Sequence, residues 1–375
     1  MSYSLKNLVA GNEAFGGRFE DEEGTSVSIE QKIEVETEVA EEMEEQEEVV
    51  EVADEGEETA EAAEEMMATF EYAERMASVV EQCGWSRPVA LAFNYGQGAG
   101  QLGEVEEGFG ITLAANESLE MVASPHDANS IAVMEGFKAT MKSFWEWVKK
   151  IAKKIWEGIK SLGSKILAFF TSVEKTSKRL AIALKDVSGI DAEKAKDKKF
   201  KVLDNSTFSN LVAAVGQLFD TSNKFAEGGA ATGFKIPGLG VDVDADGTFK
   251  QDFKDPFANI SEVSFSGDKL AGWSLTDVKD NKKIVELIAK GRVVEKTIAG
   301  IKKTGDKLAS EANRASSRYS NDADAKAAKD QRDNAKKEVK SMTSAQKLVS
   351  KSIKFSVQLA KQFIKVQRAF LACKK

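Results

Sequence analysis

The charge of this chain is segregated along its length, and that limits where a core can form. Residues 1–120 carry 31 Asp+Glu against 5 Lys+Arg, a net of −26, and residues 121–375 carry 30 Asp+Glu against 47 Lys+Arg, a net of +17. The overall −9 conceals two polyelectrolytes of opposite sign. Residues 33–74 hold 19 acids and no base. Like charges at that density resist collapse, so this stretch is expected to be disordered or a solvated single helix. A segment this acidic repels nucleic acid, whereas the remainder is drawn to polyphosphate. A cut at the junction would therefore change the partners the chain accepts.

Apolar periodicity points to helices. Met66, Met67, Phe70, Ala73, Met76 and Val80 sit three to four apart, which predicts an amphipathic helix over 66–82. The strongest stripe runs from Val133 through Phe144, Ile151, Ile159 and Ile166 to Val173, about ten turns long. Gly158 and Gly163 each weaken it by about 1 kcal/mol relative to Ala, so a kink or break is expected there. A second helix is expected over 175–186 and a third over Phe208–Phe225. From Ser274 the spacing of Ile284, Leu287, Ile288, Val294, Ile298, Ile301 and Leu308 continues as helix, opened by a capping box at Ser274–Asp277. Residues 313–341 read as a solvent-exposed helix or hinge. Thr343-Ser344-Ala345-Gln346 reads as another capping box, opening a last helix that carries Val349, Ile353, Val357, Ala360, Ile364 and Phe370 on one face. From Val339 to the end there are nine bases and no acid. Between the helical segments, alternation at Val241, Val243, Phe249 and Phe253 predicts a hairpin turning at Asp246-Gly247. Residues 84–113 are glycine-rich with a strand expected at Val89–Phe93, and 114–130 read as a linker.

Few residues carry catalytic chemistry. Two distant cysteines, Cys83 and Cys373, make no disulfide framework or zinc cluster, which fits a reduced intracellular protein. The single histidine, His126, lies in a Ser-Pro-His-Asp turn and reads as a surface residue. The start of the chain lacks the basic and apolar regions of a secretory signal, and no apolar run of about 18 residues predicts a transmembrane helix. Gly98-Ala99-Gly100-Gln101-Leu102-Gly103 matches a phosphate-loop spacing, but the acidic, glycine-broken stretch after it supplies no helix N-terminus for a pyrophosphate. Asp242, Asp244 and Asp246 have the oxygen spacing that opens a calcium loop, yet the twelfth position is Phe253 where a bidentate Glu is required. They are weak metal candidates, and a carboxylate-rich turn accounts for them. No nucleophile stands beside a base, so no enzyme activity and no cofactor are expected.

The 133–173 helix reads in three ways. Its Trp145, Trp147, Trp156, Phe169 and Phe170 with many lysines fit a membrane-surface helix. Lys149, Lys150, Lys153 and Lys154, with Lys361, Lys365 and Arg368 near the end of the chain, fit a surface that lies along phosphates or an anionic membrane. The bland reading is a bundle helix whose lysines form its solvated face.

The opening, Ser4-Leu5-Lys6-Asn7-Leu8 with Gly11-Asn12-Glu13-Ala14-Phe15, and the acidic segment after it resemble the propeptides of internal head proteins of large tailed bacteriophages. The resemblance covers the overall organisation and the first 120 residues. It implies trimming by the prohead maturation protease, which in giant phages favours a small residue, any residue, then Glu. Ser118-Leu119-Glu120 fits that pattern at the charge boundary, which would make Met121 the mature N-terminus. Ser28-Ile29-Glu30, Ala62-Ala63-Glu64, Ser172-Val173-Glu174 and Ala309-Ser310-Glu311 fit it too. Leu102-Gly103-Glu104 fits the Leu-first form of smaller relatives.

The resulting expectation is a mainly α fold: a helical bundle with a small β-hairpin insertion, preceded by a disordered acidic propeptide. Its segments are the propeptide over 1–120, a basic amphipathic helical segment over 121–190, a mixed insertion over 191–275, and a C-terminal helical segment over 276–375 that packs with 131–190. The function expected is that of a non-enzymatic protein of the virion interior, assembled in the host cytoplasm as an acidic precursor and trimmed to a basic form. Its partners would be the prohead protease, other capsid or core proteins and packaged DNA, bound without sequence preference. The rivals are a membrane-active ejected protein or toxin silenced by its acidic arm, and a cellular acidic-tailed chaperone of basic or nucleic-acid partners. Oligomeric state is not legible.

Overall fold

Charge and apolar spacing together decide the layout of a mainly α architecture with small antiparallel sheets. The computed structural model describes residues 29–86, 89, 126, 128–228, 234–236, 241–243, 256–318 and 325–375. It divides into two compact units, Met1–Glu44 and Glu45–Lys375. Of the first, residues 29–44 are described, and they are helical. Among the described residues the helices are α1 (Ile29–Cys83), α2 (Ala128–Ala183), α3 (Ala192–Ala195), α4 (Asn205–Ala226), α5 (Leu275–Asp280), α6 (Lys282–Gly291), α7 (Val294–Arg318) and α8 (Ala325–Ala372).

Helix α8 is the axis of the second unit. It packs on α4, α2, α7, α6 and α5, and α7 lies against α2 and α4. Ala335, Val339, Met342, Ala345, Leu348, Val349, Ile353, Val357, Leu359, Phe363, Val366 and Phe370 are buried along α8, so much of its circumference is core. The α2 stripe is buried as its spacing predicts, from Phe144 through Val148, Ile155, Ile159, Leu162 and Ile166 to Val173. Short strands clip the loops onto this bundle. The pairs are β1 (Phe200–Lys201) with β4 (Glu262–Val263) and β2 (Phe234–Ile236) with β3 (Val241–Val243), while β5 (Phe265–Ser266), β6 (Lys269–Leu270) and β7 (Trp273–Ser274) form a three-stranded meander. Trp273 is fully buried, and its indole N–H donates to the Leu203 carbonyl at 2.8 Å.

Several boundaries differ from the sequence reading, each for a local reason. Helix α2 runs unbroken through Gly158 and Gly163 to Ala183, absorbing the separate helix expected over 175–186. A Cβ at Gly163 would stand 2.3 Å from Ile298 Cδ1, so that glycine admits α7 against α2 and does not mark a kink. The helix expected from Ser274 is divided into α5, α6 and α7. Its capping box is present, with Ser274 and Asp277 bonded reciprocally, but Asn281 adopts φ 53° and ends α5. Thr343-Ser344-Ala345-Gln346 is not a cap. The Thr343 and Ser344 hydroxyls donate back to the Lys340 carbonyl, each at 2.8 Å, and α8 continues through them. The β2–β3 register sets Phe234, Lys235 and Ile236 opposite Val243, Asp242 and Val241. The turn expected at Asp246-Gly247 lies outside the described residues, as does most of the glycine-rich 84–113 stretch.

Of the two forms weighed for the acidic run, disordered or a solvated single helix, residues 29–83 take the helical one. From Val49 onward that helix is not solvated on all sides. Val49, Ala53, Ala60, Ala63, Met67, Phe70, Ala73, Met76 and Val80 are buried at steps of three to four, with Gly56 filling the remaining place in the stripe. Small side chains let a helix this acidic keep one face closely packed.

Candidate functional site

The acidic and basic ends of the chain meet as two antiparallel helices. Glu74 of α1 accepts from Arg332 Nε at 2.6 Å and from Lys336. Glu64 lies 2.6 Å from Lys347 Nζ. Glu57 lies 2.8 Å from Lys351 Nζ and 3.1 Å from Lys354 Nζ, and Asp54 also pairs with Lys354. Between the outermost rungs α1 descends from 74 to 54 while α8 climbs from 332 to 354, so the two helices stay in step along the ladder. Glu48 adds a pair to Lys165 of α2 at 3.2 Å.

These groups are partly removed from water, which makes the ladder more than a set of surface pairs. The side chains of Glu74, Arg332 and Lys336 are 16, 14 and 11 % exposed. Burial by itself raises the Glu74 carboxyl, but hydrogen bonds and charge from Lys336 and Arg332 outweigh it and hold the group below the ordinary carboxylate range. Burial opposes the charge on Lys354, and Asp54 and Glu57 more than restore it, so its ammonium titrates above the usual range. At the far end burial and the neighbouring Lys365 push Lys361 down, against the pull of Glu47.

Beneath the ladder the packing changes character along α1. Around Gly56 it is polar and close. A Cβ there would stand 2.8 Å from Ser350 Oγ and 3.2 Å from Gln346 Nε2, and one at Gly158 of α2 would stand 3.3 Å from the same nitrogen. Gln346 thus lies where α1, α2 and α8 converge. Both its amide atoms, Ser350 Oγ and Glu57 Oε1 are buried without a hydrogen-bond partner. Toward the C-terminal end of α1 the contact is aromatic. The Phe70 ring meets Phe144 edge-on at 5.1 Å and lies 5.3 Å from Trp147. The Trp85 amide donates to Ser130 Oγ at 2.7 Å.

The residues singled out from sequence fall into three groups. On α2, Lys150, Lys153 and Lys154 are exposed, Lys149 is half-buried and pairs with Glu146 at 3.0 Å, and Lys153 lies 3.7 Å from Glu157. On α8, Lys361 is half-buried, and Lys365 and Arg368 are exposed. Trp145, Phe169 and Phe170 are core residues and Trp147 and Trp156 are half-buried, so the folded bundle does not present these aromatics as a surface stripe. Asp242 sits in β3 opposite Lys235. Asp244, Asp246 and the segment Ser118-Leu119-Glu120-Met121 lie outside the described residues. Ala62–Glu64, Ser172–Glu174 and Ala309–Glu311 are all helical.

Sequence reasoning missed the ladder itself: Asp54, Glu57, Glu64 and Glu74 against Arg332, Lys336, Lys347, Lys351 and Lys354. The signal was present. The acid-only stretch at 33–74 carries Asp54, Glu57 and Glu64, and the acid-free one from 339 carries Lys347, Lys351 and Lys354, each set three to seven residues apart; Arg332 and Lys336 precede it.

Among the described residues no group of three or more His, Cys, Asp and Glu side chains is gathered to hold a metal, and no helix is long and apolar enough to cross a membrane. No curated protein and no solved structure matches the chain. A family model does match, over residues 32–269, which covers more than half of the chain and takes in nearly all of the acidic helix, α2, α4 and strands β1 to β5. The match ends before α5 to α8, and on it the chain belongs to the phiKZ-like phage internal head proteins.

Proposed function

We propose that this chain is a non-enzymatic structural protein of the phage head interior, made as an acidic precursor and converted to a basic form that lies with the packaged DNA. The observation that carries this reading is the ladder between α1 and α8. While the arm is seated, its carboxylates neutralise cations that would otherwise draw polyphosphate. A cut after Glu120 would leave the arm held to the bundle by non-covalent contacts alone. The net of the remaining covalent chain would change from −9 to +17. Packaged DNA, at very high local concentration, would then compete with the arm for the same cations.

The proposed partners follow from this order of events: core and capsid proteins during assembly, the prohead protease at the cut, and DNA afterwards. Mass spectrometry of the protein from mature particles tests the first step, with Met121 as the expected N-terminus. Recovery of peptides spanning Glu117–Ser124 at full yield would make the acidic arm a permanent part of the working protein. Retention of duplex DNA by particle-derived and uncut protein at two ionic strengths tests the second step. The processed form is expected to bind more tightly, with log K falling by about 0.9 per phosphate contact for each unit rise in log salt.

A further inference from the structure

The ladder's basic side is a continuous feature of one helix. Arg332, Lys336, Lys347, Lys351 and Lys354 stand along one side of α8 over 23 residues, a rise of about 33 Å at 1.5 Å per step. One turn of duplex DNA spans about 34–36 Å. Cations spread over this length of one helix side can therefore meet the phosphate backbone at successive crossings of a groove.

The arm that covers the ridge is held unevenly. Charge and the aromatic contact at Phe70 favour it, while four buried polar atoms near its middle lack partners: Gln346 Nε2 and Oε1, Ser350 Oγ and Glu57 Oε1. Each such atom costs free energy while the arm is seated and gains water once the arm leaves, and the Gln346 amide N–H and the Ser350 hydroxyl can then donate to a phosphate oxygen. We infer that the α8 ridge is a binding surface for the nucleic-acid backbone, and that the α1 carboxylates occupy the phosphate positions until the arm is displaced. This deepens the DNA association proposed above and rests on it. It assigns the site to the ladder cations and not to Lys149, Lys150, Lys153 and Lys154 of α2.

The full-length chain and a mixed-sequence duplex of about 30 base pairs test this at low and moderate salt. Neutralising the arm in place (Asp54→Asn, Glu57→Gln, Glu64→Gln and Glu74→Gln together) should tighten DNA binding at least about tenfold at low salt, with a steeper salt dependence. Adding Lys347→Gln, Lys351→Gln and Lys354→Gln should return affinity to the parent value. Adding Lys149→Gln, Lys150→Gln, Lys153→Gln and Lys154→Gln instead should leave the gain in place. If the gain survives loss of the ridge lysines but not of the α2 lysines, the ridge is the wrong surface and DNA association stands. If neither the parent nor the neutralised chain retains DNA at low salt, DNA association fails with it. If the neutralised chain dimerises by light scattering without gaining DNA affinity, the ridge serves helix exchange between copies and the inference is overturned. Circular dichroism checks the fold. Should the fourfold variant lose helicity, Glu57→Gln alone serves, with an expected gain of about threefold that the three ridge substitutions abolish.

Discussion

At Glu74 burial and charge act in opposite directions, and charge wins. Removing its negative charge would leave Arg332 and Lys336 partly buried and deprived of the carboxylate they share. Glu74→Gln is expected to lower stability by about 2 kcal/mol near neutral pH, read as a shift in the urea midpoint. The pH dependence follows from the direction of the shift. The folded carboxyl titrates below its ordinary 4.5, so the pairing contributes at every pH above about that value and is lost as pH falls through the folded value. The gap between parent and variant should therefore close on acidification, and a gap that persisted at about pH 2 would show that Glu74 acts through packing and not charge. Glycines give a second contrast at this scale. A Cβ at Gly291 would stand 2.0 Å and 2.3 Å from the ring of Phe170, a buried core residue with no room to retreat, whereas a Cβ at Gly163 meets the end of a flexible Ile298 chain. Gly291→Ala should cost about 1–3 kcal/mol. Gly163→Ala should stay within about 1 kcal/mol of the parent, because gained helix propensity offsets the rotamer change. Thermal unfolding of the two variants separates these cases.

Among the elements, the junction of α5 and α6 shows how a single side chain divides a helix. Asn281 takes the left-handed conformation, its amide donates to the Ser177 carbonyl at 3.1 Å, and its oxygen accepts from Ser177 Oγ at 2.9 Å and Gln367 Nε2 at 2.8 Å. Gln367 also donates to the carbonyls of Ser177 and Val278. The buried network thus joins α2, the α5–α6 corner and α8. Asn281→Gly keeps the backbone comfortable but strands the partners, while Asn281→Ala does both kinds of damage. Losses of about 2 and 3 kcal/mol respectively are expected in chemical denaturation. Equal losses would mean that the left-handed residue carries no strain. The same scale shows how much was legible from sequence. The Ser274–Asp277 box, the α4 span and the α2 stripe were all readable, because capping geometry and apolar spacing are local properties. The false cap at Thr343–Gln346 was readable only as a pattern. Whether such hydroxyls cap or bond back one turn depends on the residues before them, and here Ala335, Val339 and Met342 are drawn into the core and carry the helix through.

For the whole molecule, the docking of α1 changes what a cut near residue 120 can accomplish. Residues 49–85 are anchored by the ladder, the Phe70 aromatic contact and the Trp85–Ser130 hydrogen bond. A full-length chain nicked by an engineered protease site within 116–127 is expected to elute as one particle at low salt. The arm should separate only when salt or a polyanion weakens the ladder. Separate elution of the arm at low salt would mean that covalent linkage, and not docking, holds it in place. The four unsatisfied buried atoms around Gln346 belong to the same picture, since they reduce what would otherwise be a tighter seal.

By itself the sequence determined the class of fold, the location of its two charge pools and most helical faces, because these depend on composition and on neighbours three or four residues away. Only the tertiary structure decided that the two pools are each other's partners. Asp54 and Lys354 are 300 positions apart, and no local rule brings them together. What does so is the antiparallel packing of two long helices. That packing is closest at Gly56, where a Cβ would stand 2.8 Å from Ser350 Oγ of α8, and the small Ala60 and Ala63 continue the same buried face of α1.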